Sequence, residues 1–178
     1  MKNDLKEILI HEEELQKKIK EIAQEITKDY EGKDLTLICV LKGAVMFMSD
    51  LSKDINLSLE MDFMAVSSYG DQTTSSGVVK IIKDLDDSIE GKNILIVEDI
   101  IDSGLTLNYL VDILKSRGPE SIRICTLLDK PEGRKVDMKV DYTGFTIPDK
   151  FVVGFGLDYA EKYRNLPFIG VLKEKVYS

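Results

Sequence analysis

Short apolar runs alternate with amphipathic segments along the chain, and this alternation constrains the fold more than any other feature. The apolar runs are "LTLICVL" at 35–41, "ILIV" at 94–97, "SIRICTLL" at 121–128 and "FVVGFG" at 151–156. Apolar residues recur at helical spacing within residues 12–30, 42–55 and 107–114. Buried strands that alternate with amphipathic helices favour an α/β fold with a largely parallel sheet.

Two further strands and a polar loop lie between the first two apolar runs. Residues 57–69 alternate apolar and polar side chains in their first half, and "VVKIIK" at 78–83 indicates another strand. "GDQTTSSG" at 70–77 is typical of a mobile loop. No linker or repeat interrupts the 178 residues, so we expect one domain over 1–178.

Charge and cysteine content narrow the function classes. The chain has 32 acidic and 24 basic residues, and a net charge of −8 disfavours non-specific binding to nucleic acid or to an anionic membrane. Cys39 and Cys125 lie within apolar runs and are expected to be buried free thiols, with a disulfide as the alternative. No secretory signal or membrane-spanning run of roughly 20 apolar residues is visible, so we expect a cytoplasmic protein.

Polar segments follow the apolar runs at four points. They are "VLKG", "VEDIIDSGLT", "LLDK" and "GLDY". Because ligands of open α/β sheets bind beyond the carboxyl ends of the strands, we expect these four segments to converge on one site.

The turn from Asp102 to Thr106 has the composition of an anion-binding loop. Asp102, Ser103, Gly104, Leu105 and Thr106 lead into a helix, whose first amides and dipole suit a phosphate dianion. The simpler interpretation is an ordinary helix start with Asp102 or Ser103 as N-cap.

That simpler interpretation leaves Glu98 and Asp99 unexplained, because they lie too far upstream to cap the helix. Adjacent carboxylates can accept hydrogen bonds from vicinal hydroxyls, as on a ribose, or hold a hydrated magnesium ion. The alternative is a pair of surface charges at a strand end.

"ILIVEDIIDSGLTL" at 94–107 resembles the phosphoribosyl-diphosphate signature of the type I phosphoribosyltransferase family. "VLKGA", "SSYGDQTTSSG", "LLDKP" and "IPDKFVVGFGLDYAEKYRNLP" follow the pattern of its bacterial hypoxanthine-guanine branch. The resemblance implies a mainly parallel central sheet flanked by helices, with a small hood from the chain ends. It also implies transfer of a phosphoribosyl group to a 6-oxopurine, with Mg²⁺ and release of pyrophosphate.

The resemblance also implies roles for the signature itself. Glu98 and Asp99 bind the ribose 2′ and 3′ hydroxyls, and residues 102–106 bind the 5′-phosphate. Asp102 is the catalytic group, which takes or shares the N7 proton as the base attacks C1′. The carboxylates stabilise the positive charge that develops on the sugar.

Other segments are expected to hold the diphosphate. Lys42 and Gly43 offer donors, next to a cis peptide bond between Leu41 and Lys42 that is characteristic of the family. Arg164 is expected to clamp the pyrophosphate, although an ion pair with Glu161 is the simpler interpretation.

A lid and a metal ligand complete the diphosphate site. Ser68 and Tyr69 belong to a flexible lid at 68–77, which closes over the diphosphate and excludes water. Without the resemblance, that segment is only a surface hairpin tip. Asp158 is the implied ligand of Mg²⁺, and the residues leave open whether Glu98 and Asp99 also contact the metal.

The purine is expected to meet Lys130, Phe151, Val152 and Asp158. Phe151 stacks on the base, the backbone at Val152 contacts its other edge, and Lys130 donates to O6. Lys130 has donors and no acceptor, so the 6-amino group of adenine suits it poorly. Ordinary core packing is the alternative for Phe151.

Two rival functions remain open at this point. Some proteins of this fold are nucleotide-sensing regulators that bind RNA, which the acidic charge and the absence of a basic stripe disfavour. The other is an enzyme that prefers xanthine or adenine. The sequence does not rank hypoxanthine against guanine, and the family suggests a homodimer or homotetramer.

Overall fold

The computed structural model describes residues 1–68 and 79–178, apart from the side chain of Ser68. Its strands and α-helices are β1 (Leu5–Ile10), α1 (Glu12–Asp29), β2 (Leu35–Leu41), α2 (Val45–Asp54), β3 (Leu59–Ser68), β4 (Val79–Lys83), β5 (Asn93–Ile101), α3 (Leu105–Lys115), β6 (Ser121–Asp129), β7 (Tyr142–Thr146), β8 (Val152–Val153), β9 (Ile169–Leu172) and α4 (Glu174–Tyr177). Short 3₁₀ turns cover Lys2–Asp4 and Pro131–Gly133.

The main sheet has six strands in the order β4-β3-β2-β5-β6-β7. All neighbouring pairs are parallel except β3 with β4, which forms an antiparallel edge. The predicted α/β fold with a largely parallel sheet is therefore confirmed. Since β2, β5 and β6 are adjacent and parallel, their carboxyl ends lie at the same edge of the sheet.

Helices cover both faces of this sheet, as a parallel sheet requires. On β2, Leu37 and Cys39 pack into the core that contains α1 and α2. Ile38 and Val40 point the other way, into the core beneath α3. The strand is apolar throughout because each face is covered, and this explains why the run at 35–41 shows no alternation.

A second, antiparallel sheet has the order β1-β9-β8 and forms the hood from the two ends of the chain. It has its own core, made by Leu5, Val153, Tyr163, Leu166, Phe168 and Leu172. The sequence did not predict β1 as a strand, because only Leu5 and Ile10 of its six residues are buried. Strand β7 was also missed, because it is short and lies at the edge of the main sheet.

Two strand predictions were wrong in detail. The run at 94–97 was expected to end before Glu98, whereas β5 continues to Ile101 because residues 98–101 remain paired with β6. The run at 151–156 was expected to be a strand of the central sheet, whereas only Val152–Val153 is a strand and it pairs with β9 in the hood. "GLDY" therefore does not follow a strand of the parallel sheet.

Cys39 and Cys125 are both buried and free, which confirms the predicted thiols and excludes the alternative disulfide. Burial raises the pKa of the Cys39 thiol to about 12. Among the residues that the structure describes, no helix is both long and apolar enough to span a membrane.

A polar cluster ties the end of α1 to β6 and β7. The Tyr142 hydroxyl donates to the Asp29 carboxylate at 2.7 Å. Arg123 donates to the same carboxylate at 3.0 Å and to the Tyr142 hydroxyl at 2.9 Å. These contacts, with the Tyr142 hydrogen bond as the main cause, lower the pKa of Asp29 below its ordinary value of 3.8.

We therefore expect Tyr142→Phe to lower the free energy of unfolding by about 1 kcal/mol at neutral pH, since the buried end of a charged hydrogen bond is lost. Because the pKa of Asp29 is lower in the folded state, this stabilisation is present above pH 3.8 and is lost as the pH falls through the lowered pKa. Urea unfolding at several pH values measures both effects.

Tyr109→Phe is the matched control, because Tyr109 lies on α3, is 36% exposed and donates to no described residue. Equal stability of the Tyr142 and Tyr109 variants at neutral pH would contradict the account.

Candidate active site

A cavity of about 300 Å³ lies at the carboxyl edge of the main sheet. Residues 98–104 form most of its lining, with Val40, Leu41 and Gly43 from the end of β2 and Thr106 and Leu107 from the start of α3. The cavity therefore brings together two of the four polar segments singled out in the sequence, "VLKG" and "VEDIIDSGLT".

The turn at 102–106 leads directly into α3. Gly104 occupies the N-cap position with φ at 78°, a left-handed conformation that glycine adopts without strain. Ser103 Oγ accepts a hydrogen bond from the Leu105 amide at 3.4 Å. The turn is a helix start, as the simpler interpretation predicted, but its N-cap residue is Gly104 rather than Asp102 or Ser103. The other amides of the first turn of α3 have no partner within the helix, as at any helix start.

Glu98 and Asp99 lie within the last part of β5, and both line the cavity. Asp99 Oδ1 accepts a hydrogen bond from the Ile100 amide at 2.7 Å. Burial raises the pKa of Glu98 well above its ordinary value, and the nearby Asp99 raises it further. Burial likewise raises the pKa of Asp99 to about 6. A pair of partly desolvated carboxylates favours a ligand that brings hydroxyl donors or a cation.

Asp102, which lines the cavity, contacts Lys130. Lys130 Nζ lies 3.4 Å from Asp102 Oδ2 and 2.7 Å from Asp149 Oδ1. Only 7% of Lys130 is exposed, and its ammonium group lies between these two carboxylates. The third polar segment, "LLDK", thus joins the site through Lys130.

Arg134 is a residue that the sequence analysis missed. Its Nε donates to the Asp102 carbonyl at 3.1 Å, and its guanidinium pairs with Asp129 at the end of β6. The Lys135 amide donates to the Ser103 carbonyl at 2.9 Å. The loop after β6 therefore supports the backbone of the 102–106 turn. The only signal in the sequence was a basic loop that follows a strand ending at the same edge.

The fourth segment reaches the site from the hood side. Asp158 Oδ1 pairs with Arg164 at 3.0 Å, and Asp158 Oδ2 accepts from the Glu161 amide at 2.8 Å. Arg164 also donates to the Gly156 carbonyl at 2.8 Å. Asp158 raises and Arg164 lowers the pKa of Asp99, so these groups share one electrostatic neighbourhood with β5.

The approach of this segment to the end of β2 requires glycine. A Cβ at Gly156 would overlap the Gly43 carbonyl, and a Cβ at Gly43 would overlap the Asp99 carboxylate. The peptide bond between Leu41 and Lys42 is cis, as the resemblance implied.

Lys42 and Arg164 both pair with Glu161. Lys42 Nζ lies 2.8 Å from one carboxylate oxygen, and Arg164 Nη2 lies 3.2 Å from the other. The ion pair between Arg164 and Glu161 that the sequence suggested is therefore present beside the contact with Asp158.

Phe151 and Val152 do not line the cavity. Phe151 is 38% exposed, and its ring stacks on that of Tyr177 with centroids 4.7 Å apart. Val152 is buried in β8 and pairs with Val171. Asp149, two residues before Phe151, contacts Lys130 and connects this segment to the site through that ion pair.

Two predicted diphosphate residues cannot be placed. Tyr69 and the lid at 70–77 lie outside the described residues, as does the side chain of Ser68. Within residues 1–68 and 79–178, no three His, Cys, Asp or Glu side chains are grouped so as to hold a metal ion.

Comparison with known proteins places this site in a family. Residues 5–160 match the model of the phosphoribosyl transferase domain. The chain is 63% identical over 177 residues to the hypoxanthine-guanine phosphoribosyltransferase of Bacillus subtilis, covering 99% of this chain and 98% of that protein. It is also 58% identical to the bifunctional protein TilS/HprT of Listeria monocytogenes, of which it covers 28%.

A solved structure leads to the same family. The hypoxanthine phosphoribosyltransferase of Staphylococcus aureus superposes with a TM-score of 0.98 at 56% identity, covering 100% of this chain and 97% of that one. The fold, the arrangement around β5 and these matches agree, and the chain belongs to the phosphoribosyltransferase family.

Proposed function

We propose that the chain is a purine-salvage enzyme that transfers the 5-phosphoribosyl group of 5-phosphoribosyl 1-diphosphate to N9 of hypoxanthine, and also of guanine. The products are IMP or GMP and pyrophosphate. The observation that carries this proposal is one cavity in which a carboxylate pair, a helix start and the Lys130–Asp102 pair converge. The identity to purine phosphoribosyltransferases over nearly the whole chain supports it.

The two ends of the signature bind different parts of the sugar phosphate. The amides and hydroxyls from Asp102 to Thr106 bind the 5′-phosphate at the start of α3. Glu98 and Asp99 accept hydrogen bonds from the 2′ and 3′ hydroxyls. Their raised pKa values fit this role, because hydroxyl donors stabilise the charged form of a desolvated carboxylate.

The reaction breaks the bond from C1′ to the diphosphate oxygen and forms the bond from C1′ to N9. Positive charge develops on the sugar as the diphosphate leaves, and the fixed carboxylates of β5 stabilise that charge more than they stabilise the ground state. Asp102 accepts the N7 proton as the base attacks. Lys130 lies 3.4 Å from this carboxylate and helps to fix its position.

The purine is recognised by the elements around Lys130. The ammonium group donates to O6, and the Asp149 contact fixes its position. Phe151 stacks on the base from its exposed position, and the backbone at Val152 and the side chain of Asp158 meet the other edge. A site built on donation to O6 rejects adenine, whose 6-amino group is also a donor.

The diphosphate is bound by Lys42, Gly43, Ser68, Tyr69 and Arg164. The half-buried carboxylates of Glu98 and Asp99, together with Asp158, would hold Mg²⁺, which prefers oxygen ligands such as carboxylates. When bound, it neutralises charge on the departing group.

We further propose that the protein acts in the cytoplasm as a homodimer or homotetramer and does not bind nucleic acid. The net charge of −8 supports the last point. An RNA-binding regulator would instead need a basic surface.

The proposed function predicts formation of IMP from hypoxanthine and 5-phosphoribosyl 1-diphosphate in the presence of Mg²⁺. The spectrophotometric assay should give a kcat/KM for hypoxanthine that exceeds the value for adenine by up to ~10⁴-fold, because Lys130 offers only donors. Guanine and xanthine are compared in the same assay. No product, together with specific retention of RNA, would reverse the proposal, and equal turnover of adenine would contradict the role of Lys130.

Asp102→Asn is expected to lower kcat by about 10²-fold or more, because the amide cannot accept the N7 proton. The KM for 5-phosphoribosyl 1-diphosphate should change little, since the backbone of the turn is kept. Asp112→Asn on the exposed face of α3 is the matched control and should retain the parent kcat. Steady-state kinetics measures both, and a folded Asp102→Asn enzyme with the parent kcat would exclude Asp102 as the proton acceptor.

A further inference from the structure

Glu161 bridges two cations that belong to different segments. One of its carboxylate oxygens lies 2.8 Å from Lys42 Nζ, and the other lies 3.2 Å from Arg164 Nη2. Lys42, as the main cause, and Arg164 lower the pKa of Glu161 below its ordinary value of 4.5. The side chain is 64% exposed, so it has space to leave this position.

In the proposed function, Lys42 and Arg164 are the two cationic side chains that bind the diphosphate. The Glu161 carboxylate contacts both side chains, one with each oxygen, so it occupies hydrogen-bond donors that a diphosphate would need. A diphosphate on the same donors would lie beside the Glu161 carboxylate, and the two anions would repel each other. Glu161 and the diphosphate therefore compete for this pair of cations.

Arg164 does not depend on Glu161 for its position. It donates to the Gly156 carbonyl at 2.8 Å and pairs with Asp158 at 3.0 Å. Its buried Nε has no acceptor among the described residues. Removal of the Glu161 charge should therefore leave this guanidinium in place, with more of its donors free for an anion.

Lys42 is held differently. Its side chain is 66% exposed, and Glu161 is the only described carboxylate with which it pairs. Without that contact the ammonium group is free to turn toward a bound anion. This predicts a gain of affinity for diphosphate, rather than a loss, when Glu161 is neutralised.

We propose that Glu161 is a built-in competitor of the diphosphate group. It neutralises Lys42 and Arg164 in the substrate-free enzyme, moves into solvent when 5-phosphoribosyl 1-diphosphate binds, and returns to the cations as pyrophosphate leaves. The residue thus limits the affinity for the diphosphate and assists release of the product. This inference rests on the proposed roles of Lys42 and Arg164.

The test is titration calorimetry with inorganic pyrophosphate in the presence of Mg²⁺. Glu161→Gln keeps the size of the side chain and removes its charge, so it should bind pyrophosphate about two- to fivefold more tightly than the parent, the range expected for exposed ion pairs. In about 1 M salt, where the screening length falls to roughly 3 Å, the difference should shrink. Pyrophosphate should also inhibit the variant more strongly than the parent.

Glu21→Gln is the matched control. Glu21 forms an exposed pair with Lys18 at 2.8 Å on α1, so this change also removes one negative charge and one lysine contact. It should bind pyrophosphate as the parent does, which separates the local effect from a change in net charge.

The outcomes distinguish this inference from the proposed function. A parent enzyme that makes IMP and binds pyrophosphate, with Glu161→Gln binding it equally or more weakly, would overturn the role of Glu161 and leave the function intact. A parent that neither makes IMP nor binds pyrophosphate would overturn both.

Discussion

The site depends on close contacts between three segments that are distant in the sequence. Gly43 leaves space for the Asp99 carboxylate, and Gly156 leaves space for the Gly43 carbonyl. A side chain at Gly156 would collide with the backbone of Gly43, so the segment after β8 could not approach the end of β2 as it does, whereas a side chain at Gly43 would displace the Asp99 carboxylate. These contacts bring Lys42, Asp99 and Arg164 into one site, although Lys42 follows β2, Asp99 lies in β5 and Arg164 lies between β8 and β9.

Near these contacts, groups of opposite charge lie only a few residues apart in the sequence. The carboxylates of Glu98 and Asp99 lie in the last part of β5, whereas the helix start and hydroxyls of the following turn provide positive potential. Asp102 lies between them and is balanced by Lys130, which Asp149 holds from the other side. A substrate with a phosphate at one end and a sugar that becomes positive during the reaction matches this order of charges.

Short sequence patterns predicted the strands, helices and turns that form within one continuous stretch of the chain. The apolar run at 35–41 coincides with β2, and the helical spacing in 12–30 coincides with α1 to within one residue. The turn at 102–106 was recognisable because glycine and hydroxyl residues precede a helix in one continuous stretch. The continuation of β5 through Glu98 and Asp99 was not, because pairing with β6 outweighs the polarity of these residues. The roles of Arg134 and Glu161 were also hidden, since each contacts partners that only the folded chain brings near.

Recognition of the sugar hydroxyls by the carboxylate pair of β5 is the interaction on which the proposed function depends most. Calorimetric titration of IMP and of its 2′,3′-dideoxy analogue, with the parent and with a Glu98→Gln/Asp99→Asn variant, tests this directly. Since a hydrogen bond to a charged group contributes about 1.5–3 kcal/mol, the parent should bind IMP about 10- to 100-fold more tightly than the analogue, and the difference should narrow in the variant. Equal affinity of the parent for the two ligands would contradict the account.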